Sequence, residues 1–341
     1  MLLAELIGQV PILICGLFLT IGGTWCYRSF AIKRDIVANP NFRSLHQHPM
    51  PCGGGVIVAF VFLILTICLM LFNKIDASPI FLVIFGGGVA TVVGFIDDIV
   101  KIRAREKFLF QGGLAALILF CFGASPLLDL PWVPVAIDLT LSWVALVWLM
   151  NSFNFMDGID GMAASGATFI CIAASISLFL SEGDQHLIIV FALLAVCSFG
   201  FLFFNWPPAS IFMGDAGSLF LGYCFGALII KTVIEDQISL WTWLIIFGYF
   251  LADTTTTTVL RIFLVKRWYG AHRSHAYQNL ARIWDSHLRV VLGVTYYHVL
   301  WLLPLTVWSV LFPTMAPLAA LFAFAPSVFL SFRFGPRFSS S

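Results

Sequence analysis

The amino-acid sequence predicts an all-α protein that crosses a lipid bilayer many times, and three observations support this prediction. Of its 341 residues, 60% are hydrophobic and only 10% are charged, whereas soluble domains are about half apolar and about a quarter charged. The mean hydropathy is +0.99. Apolar residues also form continuous runs of about 20 residues, the length that a helix needs to cross a membrane, without the alternation that is typical of a membrane β-barrel.

This composition excludes several classes of protein. A soluble cytosolic enzyme or a secreted disulfide scaffold would contain a much smaller fraction of apolar residues. The net charge of +1 offers no basic field for a polyanion, so no nucleic-acid partner is expected. The eight cysteines lie mostly inside apolar runs without paired metal-ligand spacing, and we expect them to be free thiols.

The apolar runs predict about eleven transmembrane helices within one membrane domain that covers residues 1–341. The runs lie near 6–27, 53–72, 80–96, 108–124, 132–150, 162–180, 187–204, 216–233, 240–260, 289–311 and 315–332. Glu5 precedes the first run, which has neither a basic leading segment nor an evident small-residue cleavage site. We therefore interpret it as a retained helix and not as a signal peptide.

The basic residues predict the orientation of these helices. Of the 18 lysines and arginines, all except Lys74 and Lys231 fall in segments that follow odd-numbered runs. The positive-inside rule then places the N-terminus outside and the C-terminus in the cytoplasm. Most of the unusual polar segments lie on the same inner side. This asymmetry favours an enzyme with one cytoplasmic active site over a secondary transporter, which places polar groups at mid-membrane.

Two adjacent acids, Asp97 and Asp98, end the third apolar run. Their charges repel each other, and the helix macrodipole disfavours negative charge at a C-terminus, so a cation is expected nearby. A basic segment that includes Lys107 follows and could hold a phosphate against a metal ion.

Two further segments carry oxygen ligands. Asn151, Asn154, Asp157 and Asp160 recur at every third position, and on a helix they would project to roughly one side, where they suit a divalent cation. Asp215 lies where the eighth apolar run begins. We interpret it either as a helix cap or as part of an anion site at the helix N-terminus that brings phosphate and magnesium together.

The remaining polar candidates lie further along the chain. His272, Arg273 and His275 occupy the longest inward loop. Two histidines without additional ligands are a weak indication of zinc, and a loop that binds phosphate or sugar fits these donors better. Asp253 interrupts the ninth apolar run, and an ionisable residue there is a functional candidate.

Taken together, these segments resemble the polyprenyl-phosphate N-acetylhexosamine-1-phosphate transferase family between about residues 43 and 278. The paired acids of the family match Asp97 and Asp98, and its phosphate-contacting lysine matches Lys107. Its Asn-x-x-Asn-x-x-Asp-Gly-x-Asp-Gly signature matches Asn151–Gly161, and its Phe-Met-Gly-Asp-x-Gly-Ser segment matches Phe212–Ser218.

The resemblance implies roles for these residues. Asp215 would hold Mg²⁺ (with Mn²⁺ as a substitute) with help from Asn154, and Phe212 would stack on uracil. Asp157 would bind the nucleotide side of the donor. Asp97 or Asp98 would accept the remaining proton of the acceptor phosphate or orient it. Direct attack and a covalent aspartyl intermediate both remain open.

The activity that the resemblance implies is transfer of a sugar-1-phosphate from a UDP-sugar to undecaprenyl phosphate, with release of UMP, at the bacterial inner membrane. The peptidoglycan enzyme of the family has consecutive histidines in its inward loop. This chain instead has His-Arg-Ser-His-Ala-Tyr-Gln at residues 272–278. That loop resembles the branch that initiates O-antigen synthesis, whose donors carry N-acetylglucosamine or 6-deoxy relatives such as FucNAc or QuiNAc.

The expected partners are therefore a UDP-sugar, undecaprenyl phosphate and membrane lipid, and a homodimer is left open. His272, Arg273 and His275 are expected to select the sugar. Three alternatives remain: a phospho-N-acetylmuramoyl-pentapeptide transferase of peptidoglycan synthesis, a secondary transporter and a purely structural membrane scaffold.

Overall fold

The computed structural model of this chain describes residues 8–39, 48–72, 74–75, 77–123, 133–264 and 273–336. Within these ranges the chain forms fourteen α-helices and one short hairpin-like pair of strands. The helices are α1 (Val10–Lys33), α2 (Gly55–Leu71), α3 (Ala77–Val100), α4 (Ala104–Cys121), α5 (Val135–Phe155), α6 (Met162–Leu180), α7 (Gln185–Asn205), α8 (Gly214–Ile234), α9 (Leu240–Ile246), α10 (Gly248–Leu264), α11 (Ala276–Ile283), α12 (His287–Tyr297), α13 (Leu303–Leu311) and α14 (Ala316–Phe334). Strands β1 (Val37–Ala38) and β2 (Met50–Pro51) pair antiparallel.

The predicted fold class, an all-α polytopic membrane protein, is confirmed. Among the described residues, eight helical segments are long and apolar enough to cross a membrane, and a ninth is the pair α9 and α10, which bends by 80°. Helix α2 is apolar but has only 17 residues. The count of eleven spans and their orientation stay predictions.

Helix α8 lies at the centre of the bundle. It packs against α2, α3, α4 and α5, and every residue from Ala216 to Ile230 is buried. A helix that is apolar on all sides and contacts helices on all sides is a core helix, because no face of it is left for lipid. The N-terminus of α8 is consequently a fixed point toward which the surrounding helices can direct polar side chains.

Glycines allow the closest of these contacts. A Cβ atom on Gly94 of α3 would meet the carbonyl oxygen of Asp215 and come within 2.7 Å of the Cα of Ala216. Asp97 and Asp98 follow Gly94 by one helical turn, so they lie on the same side of α3. The close approach at Gly94 therefore places the paired acids beside the first turn of α8.

Replacing Gly94 with alanine should destabilise the protein, because the added methyl group meets backbone atoms that cannot rotate away. Overpacking of this kind costs about 1–3 kcal/mol. We expect a lower unfolding temperature for Gly94→Ala in detergent, measured by intrinsic fluorescence. Gly88→Ala on the same helix is the matched control, since a Cβ there meets only a side-chain carbon of Leu63 at 3.8 Å. Equal unfolding temperatures for the two variants would contradict the assigned contact.

Candidate active site

The first turn of α8 is capped by a carboxylate from another helix. Asp98 Oδ1 accepts the N–H of Asp215 at 2.9 Å, and Asp98 Oδ2 accepts the N–H of Ala216 at 3.1 Å. The N–H of Gly214 donates to Asp157. Gly214 has a φ of 75°, and a Cβ there would lie 2.8 Å from Asp98 Oδ1. Only glycine fits both the backbone angle and the space.

This arrangement corrects two expectations for the segment around Asp215. Asp215 lies inside the first turn of α8 and makes no capping bond, so it is not the cap. The leading N–H groups donate to Asp157 and Asp98, so they are not open to a phosphate. A sequence pattern identifies a helix N-terminus as an anion site, but it does not show which anion binds there. In this protein the side chains of Asp98 and Asp157 occupy the site.

Lys107 is the cation that the paired acids require. Its Nζ lies 2.5 Å from Asp97 Oδ2 and also donates to Asp215 Oδ2. The other oxygen of Asp97 accepts the N–H of Ile102 at 2.6 Å. Lys107 stands in the first turn of α4, directly after the short connection from α3. One ammonium group thus links the acid at the end of α3 to the acid at the start of α8.

Asn154 completes the contacts of Asp215. Its Nδ2 donates to Asp215 Oδ1 at 2.7 Å and to Ser218 Oγ at 2.9 Å. Each oxygen of Asp215 therefore accepts a hydrogen bond from a neighbouring side chain, Oδ1 from Asn154 and Oδ2 from Lys107. Asn154 is positioned by the last turn of α5, which packs against α8.

The prediction that Asn151, Asn154, Asp157 and Asp160 project to one side of a helix is only partly correct. Asn151 donates to Gln111 Oε1 and to the Val147 carbonyl, both at 2.8 Å. Asp160 accepts the N–H of Ala209 at 3.0 Å and lies 3.2 Å from His287 Nδ1. Helix α5 ends at Phe155, so the three-residue spacing does not continue on one helical face. Asn154 and Asp157 reach the site, whereas Asn151 and Asp160 bind other elements.

The cluster formed by Asp97, Asp98, Lys107, Asn154, Asp157 and Asp215 has a surplus of negative charge. It combines four carboxyl groups with the single ammonium of Lys107. Burial, together with the nearby charges of Asp215 and Asp98, raises the pKa of Asp157 well above its usual value. A site with excess carboxylate oxygen suits a hard divalent cation such as Mg²⁺.

The donor set fits a metal site that substrate completes. In the described part of the chain, no group of three His, Cys, Asp or Glu side chains is arranged to hold a metal ion. Mg²⁺ is usually bound by one or two carboxylates together with substrate phosphates and water. Asp215, supported by Asn154, is the carboxylate best placed for this role, because Asp98 is committed to the backbone of α8.

Three other residues that the sequence predicts to bind substrate are Phe212, Arg273 and His272. Phe212 is held by its backbone, since its N–H donates to the Pro51 carbonyl at 2.8 Å. The carbonyl of Arg273 accepts a hydrogen bond from Arg282 at 3.1 Å. His272 lies outside the described residues. Contacts of these three residues with a substrate stay predictions.

His275 is in the interior of the protein. Only 3% of it is exposed, and its Nδ1 lies 3.6 Å from Asp253 Oδ2. The centroid of its ring lies 5.8 Å from the rings of Phe155 and Tyr277. The neighbours of His275 are thus Asp253, Phe155 and Tyr277. A direct contact of His275 with the sugar stays a prediction.

Sequence reasoning missed two residues beside the acids. Cys52 Sγ lies 3.8 Å from Asp98 Oδ1, and the hydroxyl of Tyr27 donates to the Cys52 carbonyl at 3.0 Å. Cys52 and Asp98 are 46 residues apart, and neither Tyr27 nor Cys52 forms part of a charged or repeated pattern. No local feature of the sequence identifies them.

The chain is similar in sequence to known proteins. The sequence profile of glycosyl transferase family 4 matches residues 80–233, the part of the chain that contains the acids and Lys107. A probable undecaprenyl-phosphate N-acetylglucosaminyl 1-phosphate transferase of Bacillus subtilis (strain 168) is 31% identical over 279 residues, which are 78% of this chain and 75% of the relative.

Two other relatives are named phospho-N-acetylmuramoyl-pentapeptide-transferase. The protein of Streptococcus sanguinis (strain SK36) is 28% identical over 276 residues, 75% of this chain and 80% of the relative. The protein of Prochlorococcus marinus subsp. pastoris is 29% identical over 230 residues, 61% of each chain. The extent and level of these similarities, above all to the Bacillus protein, show that this multi-pass membrane protein belongs to glycosyl transferase family 4 and is an enzyme of that family.

Proposed function

We propose that this protein transfers N-acetylhexosamine-1-phosphate from a UDP-sugar to undecaprenyl phosphate and releases UMP. The observation that carries the proposal is the convergence of Asp97, Lys107, Asn154 and Asp215, from four different helices, on the first turn of α8. Among the named relatives, the Bacillus protein supports N-acetylglucosamine as the sugar.

The charges of the cluster match the demands of this reaction. The donor contains a diphosphate and the acceptor a phosphate monoester, so two anions must be brought together. Phosphoryl transfer depends mainly on such positioning and on neutralisation of charge. When bound, Mg²⁺ would supply Lewis-acid stabilisation of the phosphate oxygens. Lys107 would supply the fixed positive charge of the protein, and Asp215 with Asn154 would hold the metal.

The two adjacent acids have different contacts and are proposed to have different roles. Both oxygens of Asp98 accept backbone N–H groups, so Asp98 positions the first turn of α8. Asp97 shares the ammonium of Lys107. When Lys107 turns to a substrate phosphate, Asp97 Oδ2 becomes free to accept or orient the proton of the acceptor. The second pKa of a phosphate is about 6, so little base strength is needed near neutral pH.

A membrane location follows from the acceptor, whose long hydrocarbon chain is soluble only in lipid. The bias of basic residues supports a bacterial inner membrane protein with its site on the cytoplasmic side. The cluster stands at the ends of helices α3 and α5 and the starts of α4 and α8. This position favours an interfacial enzyme over a transporter with a mid-membrane site.

A second candidate activity is transfer of phospho-N-acetylmuramoyl-pentapeptide, the activity in the names of the Streptococcus and Prochlorococcus relatives. The loop at residues 272–278 favours the first candidate, because it lacks the consecutive histidines of the peptidoglycan enzyme. We propose that the product starts a cell-surface polysaccharide of the O-antigen type, with N-acetylglucosamine or a 6-deoxy relative such as FucNAc or QuiNAc.

A donor panel tests the activity and the sugar together. Purified protein is incubated with Mg²⁺, undecaprenyl phosphate and one donor at a time: UDP-GlcNAc, UDP-FucNAc, UDP-QuiNAc or UDP-MurNAc-pentapeptide. We expect UMP release with an N-acetylhexosamine donor only when the lipid is present, and a lipid product whose mass has increased by the sugar phosphate. EDTA should stop the reaction, and Mg²⁺ or Mn²⁺ should restore it.

The Bacillus subtilis relative, purified in the same detergent, is the positive control for this assay. Absence of UMP release with all four donors, while that control is active, would refute the proposed reaction. Release of UMP only with the pentapeptide donor would establish the second candidate instead.

A further inference from the structure

We infer that Asp253 is a positioning residue that fixes helix α11 against the segment carrying Asn154 and Asp157, and thereby sets the affinity for the UDP-sugar. The inference rests on the proposed function for its last step. Asp253 does not touch the acidic cluster. It acts through His275, Ala276 and Tyr277.

Asp253 is an acid in the middle of a helix, and its surroundings are built to retain it. It is 0% exposed, and a carboxylate in such a position is costly unless it is hydrogen-bonded and paired. Its Oδ1 accepts the N–H of Ala276 at 3.0 Å and the hydroxyl of Ser331 at 2.9 Å. Its Oδ2 lies 3.6 Å from His275 Nδ1.

The contact with Ala276 supplies a helix cap from a distant part of the chain. Helix α11 begins at Ala276, and His275 at the N-cap position makes no side-chain capping bond. The first N–H groups of a helix lack partners within the helix. Asp253, 23 residues earlier on α10, provides the acceptor for one of them. The start of α11 is therefore fixed by a side chain of the membrane-embedded bundle.

Helix α11 in turn packs on the segment that carries Asn154 and Asp157. The hydroxyl of Tyr277 donates to the Phe155 carbonyl at 2.5 Å. A Cβ on Gly158 would lie 2.6 Å from the side-chain nitrogen of Gln278, so the first turn of α11 and this glycine are in close contact. Phe155 follows Asn154 directly, and Gly158 follows Asp157.

These contacts form one continuous path from Asp253 to the cluster. Loss of the charge on Asp253 would release His275 and loosen the start of α11. The contacts at Phe155 and Gly158 would then shift. Small displacements of positioning elements far from the reacting atoms reduce enzyme function by up to about 100-fold. Gly158 directly follows Asp157, which is expected to bind the nucleotide side of the donor, so the loss should appear in donor binding.

The test compares Asp253→Asn with Ser331→Ala in the full-length protein. Asparagine keeps an oxygen for Ala276 but removes the negative charge beside His275. Ser331→Ala removes a contact of the same carboxylate on the α14 side and keeps the contacts of Asp253 with Ala276 and His275. For Asp253→Asn we expect the KM for the UDP-sugar to rise about tenfold, with kcat and the KM for undecaprenyl phosphate little changed. For Ser331→Ala we expect all three constants to stay near those of the unaltered protein.

Hydrogen–deuterium exchange of the peptide containing Ala276–Ile283 provides a readout that needs no activity. We expect faster exchange there in Asp253→Asn than in Ser331→Ala. An unchanged donor KM in Asp253→Asn, or a fall in kcat alone, would overturn the inference even if exchange is faster. If Asp253→Asn does not fold, Tyr277→Phe tests the same path at Phe155, and an unchanged donor KM in that variant would overturn it as well.

The two readouts also separate this inference from the proposed function. If the unaltered protein transfers no sugar phosphate, the proposed function fails. Faster exchange of α11 in Asp253→Asn would then still support the anchoring of this helix, and unchanged exchange would overturn that too.

Discussion

The Asp215→Asn variant should lose nearly all UMP release, with a fall of about 10³-fold. The substitution preserves the shape of the side chain but removes the charge that Lys107 and Asn154 share. It also removes the carboxylate that we propose as the ligand of Mg²⁺. Because charge neutralisation provides most of the catalysis in phosphoryl transfer, we expect kcat to fall more than either substrate affinity. The measurement is UMP release at saturating donor, acceptor and Mg²⁺.

The matched control is Asp236→Asn at the opposite end of the same helix. Asp236 follows α8, is exposed and has a φ of 53°, which asparagine tolerates. A helix of 21 residues is about 30 Å long, so this change cannot act on the cluster directly. Normal activity is expected for Asp236→Asn. If Asp215→Asn keeps more than about a tenth of the unaltered rate, the assignment of Asp215 as metal ligand is wrong.

The Lys107→Met variant should have the second-largest effect, a fall in activity of about 10²-fold. Methionine has a similar length and no charge, so Asp97 and Asp215 would face each other without the ammonium group between them. We expect weaker binding of both anionic substrates and slower transfer. The measurement is the pair of KM values and kcat, read from UMP release over a range of each substrate.

Lys231→Met is the control for Lys107→Met, since Lys231 also belongs to an ion pair but lies near the far end of α8, with Glu235. It should retain the activity of the unaltered protein. Equal losses in the two lysine variants would indicate a general effect on stability. Full activity of Lys107→Met would remove this lysine from the proposed mechanism.

The sequence was sufficient to predict that Asp97, Asp98, Asn154, Asp157 and Asp215 meet in space. Each of them lies at or near the end of an apolar run on the same predicted side, and the resemblance to a known family added their order. The helical membrane fold was predictable for a similar reason, because hydropathy reflects a solvent preference that needs no knowledge of packing.

Several contacts of the site depend on how the helices pack and were not predictable from the sequence. Asp98 and Asp215 both stand near a helix end, and only the close contact at Gly94 determines that Asp98 caps α8. Helix α5 ends at Phe155, so Asp157 and Asp160 do not continue the helical face on which Asn151 and Asn154 lie. The burial of His275 beside Asp253 was also not predictable, although its expected role in sugar selection stays a prediction. The partner of a buried charge is a long-range contact, and local patterns do not encode it.

The order in which these groups leave the ribosome has a consequence for biogenesis. Lys107 precedes Asp215 by 108 residues, and the whole of α8 follows the other contributing helices. A nascent chain that has inserted α3, α4 and α5 therefore holds two acids and a lysine without the helix terminus that Asp98 caps in the finished protein. Asp215 and the capped helix terminus both belong to α8, so the cluster cannot assemble before this helix has entered the membrane.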